Sequence, residues 1–404
     1  MDPWIKVAAS ADVTTRPSRV DVGGTPYTLL RGSDDGPPVL LSARCPHRLV
    51  PLDAARLADG VLTCPYHGWQ FSLDGRCLRV PSMGDADVPR GAHLPDAPRV
   101  VERDGAVWAQ ATPAGGRAVV RAGLGNTDPA LARAWHAVLE ADAPGQTVEV
   151  RLLGRDLTLS RGPGGWTADP PVHAITERWG LVHVALEPPL VPLFDEPDVE
   201  DRDFVGAWLP PARTGVSCGA VADNFLDVAH FPFVHAATFG ADVEVVPAYE
   251  VVEEPNGFRS VQVQDFDNPE DPGVVAGLRP VRQRRRATYV YRAPFQLLLR
   301  LEELDAGAVK TILFLATPED EGSTLIWTKM LLHGIGGVAD PDAQVVAREV
   351  AFEEAVLAED LALQVVMDAP TFPLDLKAEM HVRADRLGVA LRRALAAFVA
   401  EAAA

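Results

Sequence analysis

A chain of 404 residues, 47% apolar and 23% charged, is too long for one ordinary core, so two or three domains are expected. Its formal net charge of −19 excludes nucleic acid as the main partner, because phosphate binding needs a basic face. Four cysteines make no disulfide framework and predict a reducing, cytoplasmic setting. No apolar run of membrane-spanning length occurs, and MDPWIKVAAS lacks the basic-then-apolar order of a secretory leader.

In chain order, residues 1–115 read as short strands with turn punctuation (GG at 23–24, DDGPP at 34–38, LDG at 73–75), which is all-β texture. RVVERDGAVWAQATP (99–113) closes the stretch as a hairpin with DG at its turn. Residues 116–189 repeat the texture. Each stretch starts at a Trp (Trp4, Trp135), runs through a strand ending LLRG or LSRG, and closes on ERDGAVWAQ (102–110) or ERWGLVHVA (177–185). The second stretch has no Cys, so it reads as a degenerate copy that kept the β-framework and lost the loops between. After LVPLFDEPDVED (190–201), residues 190–404 become α+β. Strands are expected over 205–218, 243–266, 284–302, 307–317 and 322–333, and helical tracts over 341–367 and 377–401, packed on an antiparallel sheet. The basic block VRQRRR (281–286) reads as a solvated strand end.

Two donor sets stand out. Cys45-Pro46-His47 and Cys64-Pro65-Tyr66-His67 place one Cys and one His in each of two Pro-containing loops. Zinc fingers group Cys with Cys and carry the His pair on a helix. A two-iron cluster with thiolates on one iron and imidazoles on the other instead needs each loop to reach both irons. Cys77 and Cys218 have no such company and read as small core residues. In DNFLDVAHFPFVHAATFG (223–240), Asn224, Asp227 and His230 share one face of an ideal helix. His235 joins them only if the helix bends, and Pro232 is the expected break. Two His with one carboxylate and open positions make an oxygen-activating iron centre. Asp227, close to His230, suits the partner that fixes a ligand imidazole. For the third ligand, AFEEAVLAEDLALQVVMD (351–368) puts Asp360 on the stripe of Val356, Leu363 and Met367, where an unpaired carboxylate is costly. Periodicity alone leaves Glu359 open as well. Glu353, Glu354 and Asp368 read as surface or terminal charges.

Together the two motifs resemble the catalytic alpha chains of Rieske non-heme iron oxygenases, particularly the monooxygenase and O-demethylase branch similar to vanillate demethylase. The resemblance implies an α+β chain with a Rieske β-domain and a helix-grip catalytic domain. It implies a [2Fe-2S] cluster on Cys45, His47, Cys64 and His67, and mononuclear Fe(II) on His230, His235 and Asp360, the Asp of the Glu-Asp pair. Asn224 belongs to the family motif, and the residue matching Asp227 bridges to a Rieske His of a neighbouring subunit in a homo-oligomer, a trimer. The implied reaction uses O2 and NAD(P)H electrons from a separate reductase, with or without a ferredoxin. It hydroxylates or oxidatively dealkylates a small, largely apolar aromatic or natural-product substrate. Ring dihydroxylation at the same centre, an electron-transfer protein with an inert catalytic half, and a zinc-stabilised binding module are the competing readings. No G-x-G-x-x-G follows a strand, so no dinucleotide domain is expected. Family members run directly from Rieske to catalytic domain, so residues 116–189 are a departure.

Overall fold

The computed structural model describes residues 4–110, 123–195, 197–238, 243–268, 271–337 and 341–404. The expected boundary at 115–116 lies outside them. Ten strands form before residue 111: β1 (Trp4–Ala9), β2 (Ser18–Val22), β3 (Thr25–Arg31), β4 (Pro38–Ser42), β5 (Arg56–Ala58), β6 (Val61–Thr63), β7 (Gln70–Ser72), β8 (Cys77–Arg79), β9 (Val100–Arg103) and β10 (Ala106–Gln110). They make three antiparallel sheets, ordered β1-β10-β9, β2-β3-β4 and β5-β6-β7-β8.

Seven strands follow: β11 (Gly123–Gly125), β12 (His136–Glu140), β13 (Thr147–Leu152), β14 (Arg155–Gly162), β15 (Gly165–Asp169), β16 (Ala174–Arg178) and β17 (Leu181–Ala185). The sheets β12-β17-β16 and β13-β14-β15 reproduce the first two sheets of the earlier stretch. Even the irregularities recur. A bulge lies between Lys6 and Ala8 in β1 and between Ala137 and Leu139 in β12, each time two residues after the Trp. Asp104-Gly105 and Trp179-Gly180 both turn with positive φ at each position, the type I′ geometry of a two-residue hairpin. The β5–β8 sheet has no counterpart. Residues 43–99 separate β4 from β9, whereas residues 170–173 alone separate β15 from β16.

The remainder builds an eight-stranded antiparallel sheet from β18 (Val205–Trp208), β19 (Ala212–Thr214), β20 (Val252–Glu254), β21 (Gly257–Asp267), β22 (Arg282–Arg292), β23 (Gln296–Glu303), β24 (Ala308–Asp320) and β25 (Ser323–His333). Its order is β18-β25-β24-β23-β22-β21-β20, with β19 also on β25. Side chains alternate between its faces. Tyr289, Tyr291, Leu297, Phe314, Ala316 and Ile326 join one core, together with the first β-module and the helices. Val290, Leu298, Leu313, Leu315, Leu325 and Trp327 join another, with Ala137, Trp179 and Leu181 of the second stretch. The sheet therefore separates the first stretch from the β12–β17 module of the second, although Leu124, Leu131 and Ala134 of the second stretch join the first core. At the β12 bulge the Ala137 carbonyl accepts from Trp327 Nε1 (2.9 Å) and Thr317 Oγ1 (2.6 Å), which fixes the second stretch on its face.

Helices α1 (Pro197–Glu200), α2 (Cys218–Leu226), α3 (Phe231–Val234), α4 (Pro272–Val275), α5 (Ala343–Met367) and α6 (Arg386–Ala402) complete the chain with strand β26 (Thr371–Pro373), which pairs β11. No helix among the described residues is long and apolar enough to cross a membrane.

Three expectations need correction. The break before His235 is not at Pro232: α2 ends at Leu226, and Asp227 leaves the helical region (φ −82°, ψ 118°) with its Oδ1 accepting from Ala229 N (2.8 Å). A side chain that captures nearby backbone competes with the helix, and Pro232 sits harmlessly in the first turn of α3. The last helix starts at Arg386, not 377. Residues 379–382 stay extended because Met380 N donates to Pro46 O (2.8 Å) and Glu379 turns toward Arg392 (2.9 Å). Glu353 is half-buried rather than a surface charge.

Candidate functional site

The two Cys–His loops are copies of one turn. Cys45 N donates to Val50 O and Leu49 N to Cys45 O. Cys64 N likewise donates to Trp69 O and Gly68 N to Cys64 O. Leu49 (φ 58°) and Gly68 (φ 63°) take the same left-handed position. At Gly68 a side chain is also excluded by packing, since a Cβ would stand 2.2 Å from Phe233 of α3. The turns bury Cys45, Cys64, His47 and His67 together, and Trp69 stacks on His47 (4.6 Å, 10°).

The imidazoles point outward, away from each other, by the same nitrogen. His47 Nε2 meets Asp385 Oδ1 at 2.9 Å and His67 Nε2 meets Asp227 Oδ2 at 2.7 Å. Burial alone raises both carboxyls, but Arg48 and His47 around Asp385, and His67 and His230 around Asp227, hold them below the usual carboxylate range. An ionised carboxylate only accepts, so each Nε2 carries the proton. That leaves two Nδ1 lone pairs facing each other at 3.1 Å, an arrangement that calls for a cation. Burial lowers His47 to about 4, so its ring is neutral. Cys45 and Cys64 are hydrogen-bonded to each other, which brings Cys64 down to about 7 while burial raises Cys45. Two thiols and two imidazole lone pairs, closed off from water, fit a cluster with mixed ligands.

The second set follows the end of α2. His230 Nε2 and His235 Nε2 are 3.0 Å apart, and Asp360 Oδ1 lies 3.5 and 3.4 Å from them. These ligand atoms fall within 4.8 Å of one another. Of the Glu-Asp pair, Asp360 joins the cavity between the rings, whereas Glu359 Oε2 meets His235 Nδ1 (2.9 Å) and accepts from Thr238 Oγ1 (2.8 Å). Glu359 thus orients a ring that turns Nε2 inward, as an outer partner of a metal ligand does. Burial lowers His230 to about 3 and pushes Asp360 up to about 7, partly offset by the Asn224 amide. Two neutral imidazoles and a carboxyl, again with lone pairs converging, fit one divalent iron.

Asp227 and Asn224 lie between the sets. Asp227 carries the contact to His67, and its charge acts on His230. Asn224 Nδ2 donates to Tyr66 Oη (3.2 Å) and to Asp360 Oδ1 (3.2 Å), and its Oδ1 accepts from Gln364 (2.9 Å). The expected bridge to a neighbouring subunit is here made within one chain. Sequence reasoning missed Arg48, Asp385, Glu359 as a positioning group, and the buried network of Arg48 with Asp223 (3.2 Å) and Asp385 (3.1 Å) and of Arg392 with Asp223 (2.8 Å) and Glu379 (2.7 Å). Arg48 follows a ligand directly, which was a usable signal. For Asp385, in a turn 338 residues from its partner His47, there was none. Cys77 and Cys218 are buried thiols outside both sets.

Residues 3–98 match the Rieske [2Fe-2S] domain and residues 216–401 the vanillate O-demethylase oxygenase C-terminal domain. The chain is 39% identical over 110 residues to phenoxybenzoate dioxygenase subunit alpha of Ectopseudomonas oleovorans, covering 27% of each protein. It is 28% identical over 272 residues to the probable methylxanthine N7-demethylase NdmC of Pseudomonas sp. (strain TJI-51), covering 64% of this chain and 91% of that one. A solved structure of Pseudomonas putida CBB5 NdmA with caffeine aligns with 96% of this chain and 88% of its own at 18% identity and a TM-score of 0.43. With both domains in this order, the chain belongs to the Rieske oxygenase alpha chains of the vanillate demethylase type.

Proposed function

We propose that the chain is the oxygenase component of a multicomponent system in the cytoplasm, served by a separate NAD(P)H-dependent reductase, with or without a ferredoxin. It hydroxylates or oxidatively dealkylates a small, largely apolar aromatic or natural-product substrate. Residues 1–115 act as the Rieske domain, 116–189 as a ligand-free copy of its framework, and 190–404 as the catalytic domain. The observation that carries the reading is the 2.7 Å contact of His67 with Asp227, which ties one donor set to the other. The demethylase relative with 91% of its length matched favours dealkylation over ring dihydroxylation.

The groups bound there would supply one-electron transfer at Cys45, His47, Cys64 and His67, and oxygen activation at His230, His235 and Asp360. The chain's own residues prepare for both. Asp385 and Asp227 hold the Nε2 protons, so both Nδ1 atoms stay available as ligands. Glu359 fixes the His235 ring, and Asn224 ties Asp360 to Tyr66. Phe225 stacked on Phe314 (4.6 Å) and the buried Tyr289, Tyr291 and Leu297 make this side of the sheet an apolar core that keeps water out. The reaction consumes two electrons and two protons per O2, placing one oxygen atom on the substrate and the other in water.

The test is a screen of O-methyl aromatics and N-methyl heterocycles with a surrogate reductase, reading formaldehyde and iron. About three irons per chain are expected from a two-iron cluster and one further site, with formaldehyde release lost in His230→Ala. Two irons and no O2-dependent turnover would favour an electron-transfer protein, and a colourless zinc protein would sink both readings.

A further inference from the structure

The contact between the two donor sets is one part of a wide, buried seam, all of it within a single chain. His47 and His67 cross the seam to Asp385 and Asp227, and Tyr66 crosses to Asn224. Arg48, one residue after a ligand, is buried between Asp223 and Asp385. Pro46 O accepts from Met380 N. Gly68 and Gly91 let the first module close on Phe233 and Met380, to which a Cβ would come within 2.2 and 3.0 Å. Buried charges tolerate this only where every partner is in place, since an unpaired one is strongly destabilising. The seam is therefore made for one geometry.

The β12–β17 module of the ligand-free stretch sits on the other face of the eight-stranded sheet, with Trp327, Leu313 and Leu325, away from His230 and His235, while the segment before it (Leu124, Leu131, Ala134) packs into the iron-side core. The module with ligands occupies the iron face and the module without them the far face.

We infer that electrons pass within one chain: the cluster of a chain serves the iron of the same chain, and no second copy completes the site. With both groups bound, the one electron supplied by the reductase would be lost by the cluster held on Cys45, His47, Cys64 and His67 and gained by the iron held on His230, His235 and Asp360 of the same chain, reducing it from ferric to ferrous. No bond to the protein is made or broken, and the His67–Asp227 hydrogen bond is the direct link from one donor set to the residues beside the other. The trimer that the family resemblance implies is then dispensable for electron transfer, and the 116–189 stretch braces the sheet from behind.

This rests on the oxygenase reading for what the electrons do, but its test needs no turnover. Gly91→Cys with Met380→Cys places two thiols across the seam, where the shorter Cys also removes the sulfur that crowds Gly91. Cluster-loaded protein is oxidised mildly and run denatured without reductant. The expected result is a product that migrates as one chain and has lost two thiols per chain. Products of two or more chains that collapse on reduction would overturn the inference, and so would the absence of any cross-link in protein that keeps its cluster absorbance. If the pair fails to take up a cluster, Arg79→Cys with Glu244→Cys, at a more exposed ion pair across the same seam, gives the same readout with a short bismaleimide. A two-iron protein with an intrachain link would overturn the oxygenase reading and leave the seam standing.

Discussion

Asp227 has both carboxylate oxygens committed, one to His67 and the other to Ala229 N. Asp227→Asn keeps the shape but replaces an acceptor-only group by one that must be half donor. About three irons per chain should remain, with the cluster still reducible, while turnover falls on the order of 100-fold, as small misplacements at a reacting centre do. Full activity in that variant would refute the bridging role. Asp360→Ala should lose one iron and spare the cluster absorbance. Glu359→Gln should keep the iron at about 10- to 100-fold lower affinity, measured by chelator competition; iron retained in Asp360→Ala would move the ligand to Glu359. Metal uptake also has a predictable pH dependence. Burial pushes the Asp360 carboxyl up to about 7 in the metal-free chain, above its unfolded value, so the folded site holds a proton that iron must displace. Affinity should level off above pH 7 and fall up to about tenfold per unit below it. The imidazoles add little, because His230 is already neutral down to about pH 3.

At the level of elements, each ligand set is positioned by a chain reversal rather than by a long helix. The paired Cys–His loops could be read from the sequence because each set of ligands lies within four residues and each turn satisfies its own backbone. The end of α2 could not. Spacing placed the break at Pro232, but the Asp227 side chain captured Ala229 N and ended the helix earlier. Asp385 and Glu379 were equally hidden, since their turns are held by contacts to residues far away in the chain rather than by local pattern. Gly68→Ala tests how closely the two reversals depend on one another. Its Cβ would overlap Phe233, midway between His230 and His235, at a position of positive φ. A loss of about 1–3 kcal/mol is expected from such overpacking, with iron at the second set weakened before the cluster absorbance is. A variant with unchanged melting and iron content would show that α3 moves freely against the loop.

Across the whole molecule, the eight-stranded sheet carries a module on each face, and its alternating side chains assign one face to each. The similarity of the two stretches was legible as paired Trp, LLRG/LSRG and ERxG motifs, and the recurrent bulge and turn have the same spacing from them. Which stretch faces the iron was not legible, because that depends on contacts that form only after the sheet does. The network of Arg48, Asp223, Arg392, Glu379 and Asp385 joins the first module to α2 and α6. Asp223→Ala should leave two buried guanidiniums short of a partner and cost on the order of 3–5 kcal/mol, read by denaturant unfolding. A cost below about 1 kcal/mol, the range of exposed pairs, would mean that the seam is open to water. The His67–Asp227 contact sets the two donor sets side by side, and magnetic relaxation of the reduced cluster reports that proximity. The mononuclear site is loaded with cobalt(II) in one sample and with zinc in another. The cluster signal should relax markedly faster beside cobalt, and identical relaxation in the two samples would contradict the account.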